Sequence, residues 1–227
     1  MSHFSVAVFS HTADEIDQLL EPFDECVEAG SPYAEFEEDL NGDLDENTGK
    51  RGYWHNPNAA YDYYVLGGRW RGLLKLREGA TGERAAFDKY DAAFEYPAGR
   101  CDQARVADCD FSRDEAIYQL ALRRWEILVE GAEPTDDEKK SILFLYKPEY
   151  YVNRYGSKER FAELQSCFLP YAFVSADGEW HGQGRMGWFG CDDATSESIA
   201  AFEKAFAEYL EKAKEENLMI SIVDMHI

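Results

Sequence analysis

The chain has 227 residues, with 45 acidic against 23 basic side chains and a formal net charge of −22. That charge opposes a phosphate backbone, so nucleic acid is excluded as the expected partner. A 45% hydrophobic and 15% aromatic content is too apolar for a disordered chain, and no apolar run approaches the roughly 18 residues that span a bilayer.

His3 to Phe9 alternates and is rich in β-formers, which predicts a first strand. Thr12 and Glu15 have capping-box spacing, and Ile16, Leu19, Leu20 and Phe23 then fall on one helical face. Residues 28–50 are acidic and interrupted by Gly30, Pro32, Asn41-Gly42 and Thr48-Gly49, which predicts a loop-like insertion with one short helix. Tyr61 to Leu66 reads as a strand broken by Gly67-Gly68. Arg69 to Leu76 alternates again, as the return arm of a hairpin or a bulged continuation. Gln103 to Asp110 reads as a short strand. Ser112 with Glu115 and Thr135 with Glu138 give two more capping boxes, opening helices over about 113–130 and from 136 to before Pro148. Lys158 to Phe168 reads as a short helix, and Pro170 to His181, with Asp177-Gly178 at its turn, as a hairpin. Thr195 or Ser196 caps the longest helix, whose apolar set Ile199, Phe202, Phe206, Tyr209, Leu210 and Ala213 has helical spacing. Leu218 to Ile227 closes the chain as a strand, with Ile220, Ile222, Asp224 and His226 on one face by period two.

Strands at both ends with helices between them predict an α+β fold: a mostly antiparallel sheet packed with helices, the N- and C-terminal strands both inside it. Residues 1–227 read as one domain carrying the acidic insertion. The N-terminus has no basic, apolar leader, and five cysteines without a CxxC pair fit reduced thiols. Both point to the cytoplasm.

The charge is unevenly spread. Residues 1–50 hold 14 acidic side chains and one basic, whereas residues 51–100 hold 8 basic and 6 acidic. An anionic ligand therefore finds its best field in the second segment. There, within Asn56 to Gly72, Gly67 and Gly68 allow close approach, Arg69 offers a guanidinium fork, and Tyr64 or Trp70 a ring to stack on. A second glycine-aromatic segment, Asp177 to Gly190, adds His181, Arg185 and Trp188. The leading expectation is a protein that binds a small anionic, nucleotide-like molecule between the two segments, through Gly67, Gly68, Arg69, Trp70, Tyr64, Arg185 and Trp188.

Two further readings remain open. One is an enzyme acting on a nucleotide, with His181 or His226 as acid or base and Asp224 or Asp108 orienting it. The other is an acidic module that blocks a host protein's basic surface. Neither glycine segment has P-loop or dinucleotide spacing, and no GxSxG, HExxH or SxxK occurs. No resident cofactor is expected. A divalent metal is possible at the period-two pairs Asp108/Asp110 or Asp224/His226, carboxylates alone suiting Mg or Ca and mixed sets suiting Mn, Fe or Zn.

The segments Asn56-Pro57-Asn58, Tyr61-Asp62-Tyr63-Tyr64, Gly67-Gly68-Arg69-Trp70, Gly178-Glu179-Trp180-His181, Met186-Gly187-Trp188 and Ile222 to Ile227 together resemble uncharacterised proteins of phages and bacteria. The resemblance spans most of the chain outside residues 28–50. It implies a phage or prophage setting, and no activity.

Overall fold

The computed structural model describes residues 2–86, 95–142 and 146–227, with the Trp188 side chain outside that description. In chain order the elements are β1 (His3–Ser10), α1 (Ile16–Leu20), β2 (Glu35–Leu44), β3 (Arg51–His55), β4 (Tyr63–Leu66), β5 (Leu74–Lys75), β6 (Arg100–Cys101), β7 (Gln103–Arg105), α2 (Glu115–Leu128), α3 (Asp136–Ser141), α4 (Pro148–Tyr155), α5 (Lys158–Ser166), β8 (Ala172–Val174), β9 (Trp180–Gly182), α6 (Ser196–Glu215) and β10 (Met219–His226).

The two terminal strands form the centre of the sheet. β1 and β10 pair antiparallel along their whole length, from His3 opposite His226 to Ser10 opposite Met219. Both strands are apolar on both sides over most of their length, as a strand buried on two faces must be. β8 runs parallel to the other side of β1 and continues into the β8–β9 hairpin. The far side of β10 is shared: β4 pairs with Val223–His226 and β7 with Met219–Ser221. The α+β class and the presence of both terminal strands in the sheet are as the sequence predicts; their central position is what the structure adds.

Alternation along these strands sorts their side chains into two cores. Ala7, Phe9, Phe173, Ile220 and Ile222 meet Phe202, Phe206 and Ala213 of α6 on one face. Phe4, Val6, Val8, Val223 and Met225 meet Ile16 and Leu20 of α1 on the other. Each of these valine, leucine, isoleucine, phenylalanine and methionine side chains contributes about 1.5–3 kcal/mol by burial, which far outweighs local propensity in setting the register. A third cluster, around Trp125, Tyr151 and Phe161, holds α2, α4 and α5 together. Among the described residues no helix is long and apolar enough to cross a membrane.

Several expectations need correction. The acidic stretch is no loop with a helix: β2 and β3 form their own antiparallel pair, with Phe36 edge-on to Trp54 at 5.4 Å. β4 does not pair with the segment that follows it, because β10 offers it a buried partner; of residues 69–76 only Leu74–Lys75 form a strand, paired with Arg100–Cys101. The cap of α2 is Asp114, whose Oδ1 accepts from the Ala116 and Ile117 amides at 3.0 and 3.2 Å, and not Ser112. Pro148 starts α4 instead of only ending what precedes it, since proline lacks just the donor that a first helical turn leaves unused. Asp108 and Asp110 do not share a strand face: β7 ends at Arg105 and a 3-10 turn takes residues 106–108.

All five cysteines are free, with Cys101 and Cys109 buried and Cys26, Cys167 and Cys191 exposed. Burial pushes the Cys101 thiol up to about 11 and that of Cys109 up to about 12. A thiol reagent at neutral pH is therefore expected to titrate three cysteines in the native protein and all five in denaturant. Five reacting at one rate without denaturant would contradict this packing.

Candidate functional site

One end of the sheet, where β1 begins and β10 ends, gathers most of the chemistry. Period two places Ile220 and Ile222 in the α6 core and carries the same face on to Asp224 and His226. Antiparallel pairing then sets His3 directly beside His226. Asp224, 4% exposed, receives His3 Nδ1 at 2.8 Å on Oδ1 and the Arg69 amide at 2.9 Å on Oδ2. His226, 5% exposed, places its Nδ1 2.6 Å from Asp62 Oδ1. The two imidazoles meet edge to face at 4.9 Å, and Tyr63 stacks on His226 at 4.5 Å. His226 Nε2 is buried and has no hydrogen-bond partner.

Gly68 backs onto this arrangement and Gly67 onto a second buried carboxylate, Asp102. A Cβ on Gly68 would lie 2.2 Å from the Asp224 Cβ, and one on Gly67 2.9 Å from the Asp102 carboxyl carbon. Each glycine thus makes room for one buried carboxylate. Of the predicted binding residues, Arg69 is exposed beside Asp224, Trp70 packs its half-buried ring against the α6 core, and Tyr64 packs against the opposite core while its hydroxyl donates to Asp17. Burial, then the Asp17 bond, raises the Tyr64 phenol far above its ordinary value.

The opposite face of the same sheet end carries a cleft of about 380 Å³. Phe4, Tyr171, Trp180 and Met186 line it from the strands and the turn after β9, with Phe23, Asn58 and Ala60 across from them. Trp180 and Phe23 are 5.1 Å apart, and Phe4 and Tyr171 5.3 Å. Arg185 is exposed at this cleft and is the only charged side chain among its described lining residues; its amide donates to Asp193 Oδ1 at 2.6 Å. The turn that follows is tied to the start of β1, where the Ser2 hydroxyl donates to the Gly187 carbonyl at 2.6 Å and accepts from the Gly190 amide at 2.7 Å.

The two glycine-aromatic segments therefore do meet, and of the residues expected to bind, Arg185 alone among the described side chains lies at the cleft. Asn58 to Ala60 face Gly182 to Met186 across the cleft, while Arg69 and Trp70 lie on the other side of the sheet. The Trp188 side chain lies outside the described residues. His181 stands apart from both groups, stacked on Phe173 at 4.4 Å with Glu179 3.8 Å from its Nε2. Asp224 orients His3 and not His226. As for a metal, no group of three or more His, Cys, Asp or Glu placed to hold an ion occurs among the described residues. The Asp110 carboxylate is instead taken by Lys75 at 2.6 Å and the Ser112 amide at 3.0 Å, with Lys75 first in holding it well below the usual carboxylate range.

His3, Asp62, Phe23 and Trp180 are the site residues that sequence reasoning missed. His3 becomes visible only once the terminal strands are paired, and Asp62 only once β4 is paired with β10. No family model, curated protein or solved structure matches the chain.

Proposed function

We propose that the protein binds a small anionic molecule with a planar ring, nucleotide-like in character, in the cleft between Asn58–Ala60 and Gly182–Met186. The observation that carries this reading is the cleft's lining: aromatic walls, and Arg185 as the one charged side chain among its described residues, in a chain of net charge −22. Its volume falls at the lower end of the 300–1,000 Å³ range of small-molecule sites. Trp180 and Phe23 supply ring faces for a planar group, and the Arg185 guanidinium matches a phosphate or carboxylate.

Calorimetry with nucleoside mono- and diphosphates tests it. At least one is expected to bind, with Arg185→Ala weakening it roughly 10- to 100-fold, the range of a hydrogen bond to a charged group. A panel in which no nucleotide binds, or in which Arg185→Ala binds like wild type, would sink the reading.

The β2–β3 hairpin supports a second reading, that of an acidic module, in the phage setting the resemblance implies, that occupies a host protein's basic surface. Leu40 is 91% and Leu44 63% exposed there, on a strand that also carries Glu35, Glu37, Glu38, Asp39 and Asp43. Apolar side chains ringed by like charge fit a steered protein contact. Here co-purification of a host protein should be lost on neutralising those carboxylates and kept in Arg185→Ala.

A further inference from the structure

A second hollow, of about 420 Å³, opens between α1, the chain that follows it and the start of β4, and shares no described residue with the cleft. Asp17, Gln18, Glu21, Asp24, Tyr61 and Tyr64 line it, three carboxylates and two phenol rings with no basic side chain among the described residues. Asp17 and Glu21 stand one helical turn apart, and a parallel bridge brings Asp24 to Tyr61. Among the described residues no lysine, arginine or histidine forms an ion pair with any of the three. Charge is not the only sign of a ligand here. Tyr61 is 4% exposed and sits edge-on to Tyr64 at 5.9 Å, yet its hydroxyl makes no hydrogen bond among the described residues. A tyrosine this buried ordinarily finds a partner for its oxygen. The charges that act on the phenol are Asp24, Tyr64, Asp17 and Glu21, all of them lining the hollow, so the oxygen lies on that side. The unpartnered polar atoms sealed from solvent are those of Ser10, Tyr171 and His226; the Tyr61 oxygen is not one of them and is reached from the hollow. Burial, then Asp24, raises the phenol far above its ordinary value, which keeps it neutral with lone pairs to accept a donor.

We propose that this hollow binds an aliphatic diamine or polyamine. The carboxylates select a cation, and the net charge of −22 draws cations toward the surface from a distance. A metal ion needs several oxygens about 2.0–2.6 Å from one point, and the described residues hold no acidic group of three so placed. Charges spread along a flexible chain instead meet the carboxylates one at a time. One ammonium group donates to the Tyr61 hydroxyl and to Asp24, beside ring faces that favour a cation. A second, several carbons away, lies against Asp17 and Glu21, and the methylenes between them rest on the two tyrosine rings. The hollow takes a cation and the cleft an anion, so the two readings stand or fall separately.

Calorimetric titration of the full chain with spermidine tests it. Binding at one site is expected, weakening as salt rises. Tyr61→Phe removes one oxygen and leaves the ring in its core, and should weaken binding about 10-fold, the scale of a hydrogen bond to a charged group. Glu21→Gln should weaken it about 2- to 5-fold, as for an exposed ion pair. Glu197→Gln, at the exposed start of α6, should bind like wild type. Butylamine, with a single charge, should bind more weakly than 1,4-diaminobutane. If Tyr61→Phe does not fold, the Tyr61 ring resonances of the wild-type protein serve instead, and should shift with spermidine but not with sodium chloride of equal ionic strength. No binding, or many weak sites that Glu197→Gln diminishes as much as Glu21→Gln, would overturn the proposal. So would binding indifferent to Tyr61→Phe, unmoved Tyr61 resonances, a monoamine held as tightly as the diamine, or magnesium held more tightly than spermidine.

Discussion

Gly68→Ala is expected to destabilise the protein by about 2–5 kcal/mol, whereas Gly156→Ala should cost only about 1–2 kcal/mol, the strain of a non-glycine residue at positive φ. Both positions have that strain, with φ of +48° and +75°, so it cannot separate them. The difference lies in what the added methyl meets. At Gly156 there is nothing within 4 Å, whereas at Gly68 the new Cβ lies 2.2 Å from Asp224 Cβ and 2.5 Å from its Oδ2. The obstacle is the root of a side chain on a central strand and cannot swing aside. Either the 68–70 turn moves off the sheet or Asp224 does, and both part Asp224 from the Arg69 amide and from His3. Thermal unfolding should show a midpoint lowered by roughly 5–20 °C, at 2–4 °C per kcal/mol for a domain of this size. Near-equal midpoints for the two variants would mean that the turn does not press on Asp224.

How much of this was legible in the sequence depended on whether the cause was local. The α6 helix could be read because its apolar spacing and its Thr195 cap are local signals, and Ile199, Phe202 and Phe206 are buried as their period implies. The face shared by Asp224 and His226 could be read from period two alone. Their partners could not, since His3 reaches them only through an eight-residue antiparallel ladder between the two ends of the chain, and Asp62 only through the pairing of β4 on the far side of β10. The acidic hairpin was hidden for a related reason. Its stabilising contacts are cross-strand, Phe36 with Trp54 and the Tyr53 hydroxyl donating to Glu37 at 2.9 Å, while along the chain the segment shows only charge and turn residues. Arginine and glycine in one short motif suggested a ligand loop. The glycines are there for two buried carboxylates, and such a residue gives no sequence signal that sets it apart from 44 other acidic side chains.

Asp102 is the second of those carboxylates, and Asp102→Ala is expected to cost about 3–5 kcal/mol, the scale of breaking a buried charged network. The residue is 0% exposed and sits between β6 and β7. Its Oδ1 accepts from the Gly72 amide at 2.7 Å, and its Oδ2 from the Ala85 amide at 2.8 Å and from the Tyr96 hydroxyl. Alanine would strand these donors around a cavity, and an unpaired buried donor costs about 1–3 kcal/mol. Asp102→Asn should fall between alanine and wild type: it keeps the volume and one acceptor but turns an NH₂ toward donors that need the other. Tyr96→Phe removes a single partner from an oxygen that retains the Ala85 amide, and should cost only about 1 kcal/mol. This order separates a network from mere packing, since loss of volume alone would leave asparagine close to wild type. Hydrogen exchange adds a spatial check, because the Gly72 and Ala85 amides should lose protection together in Asp102→Asn while those of α5, in a separate core, do not. If Asp102→Asn matches wild type in stability, or if only one of the two amides responds, then this carboxylate does not pin residues 67–72 and 83–85 to the sheet, and the Gly67 close approach loses its explanation.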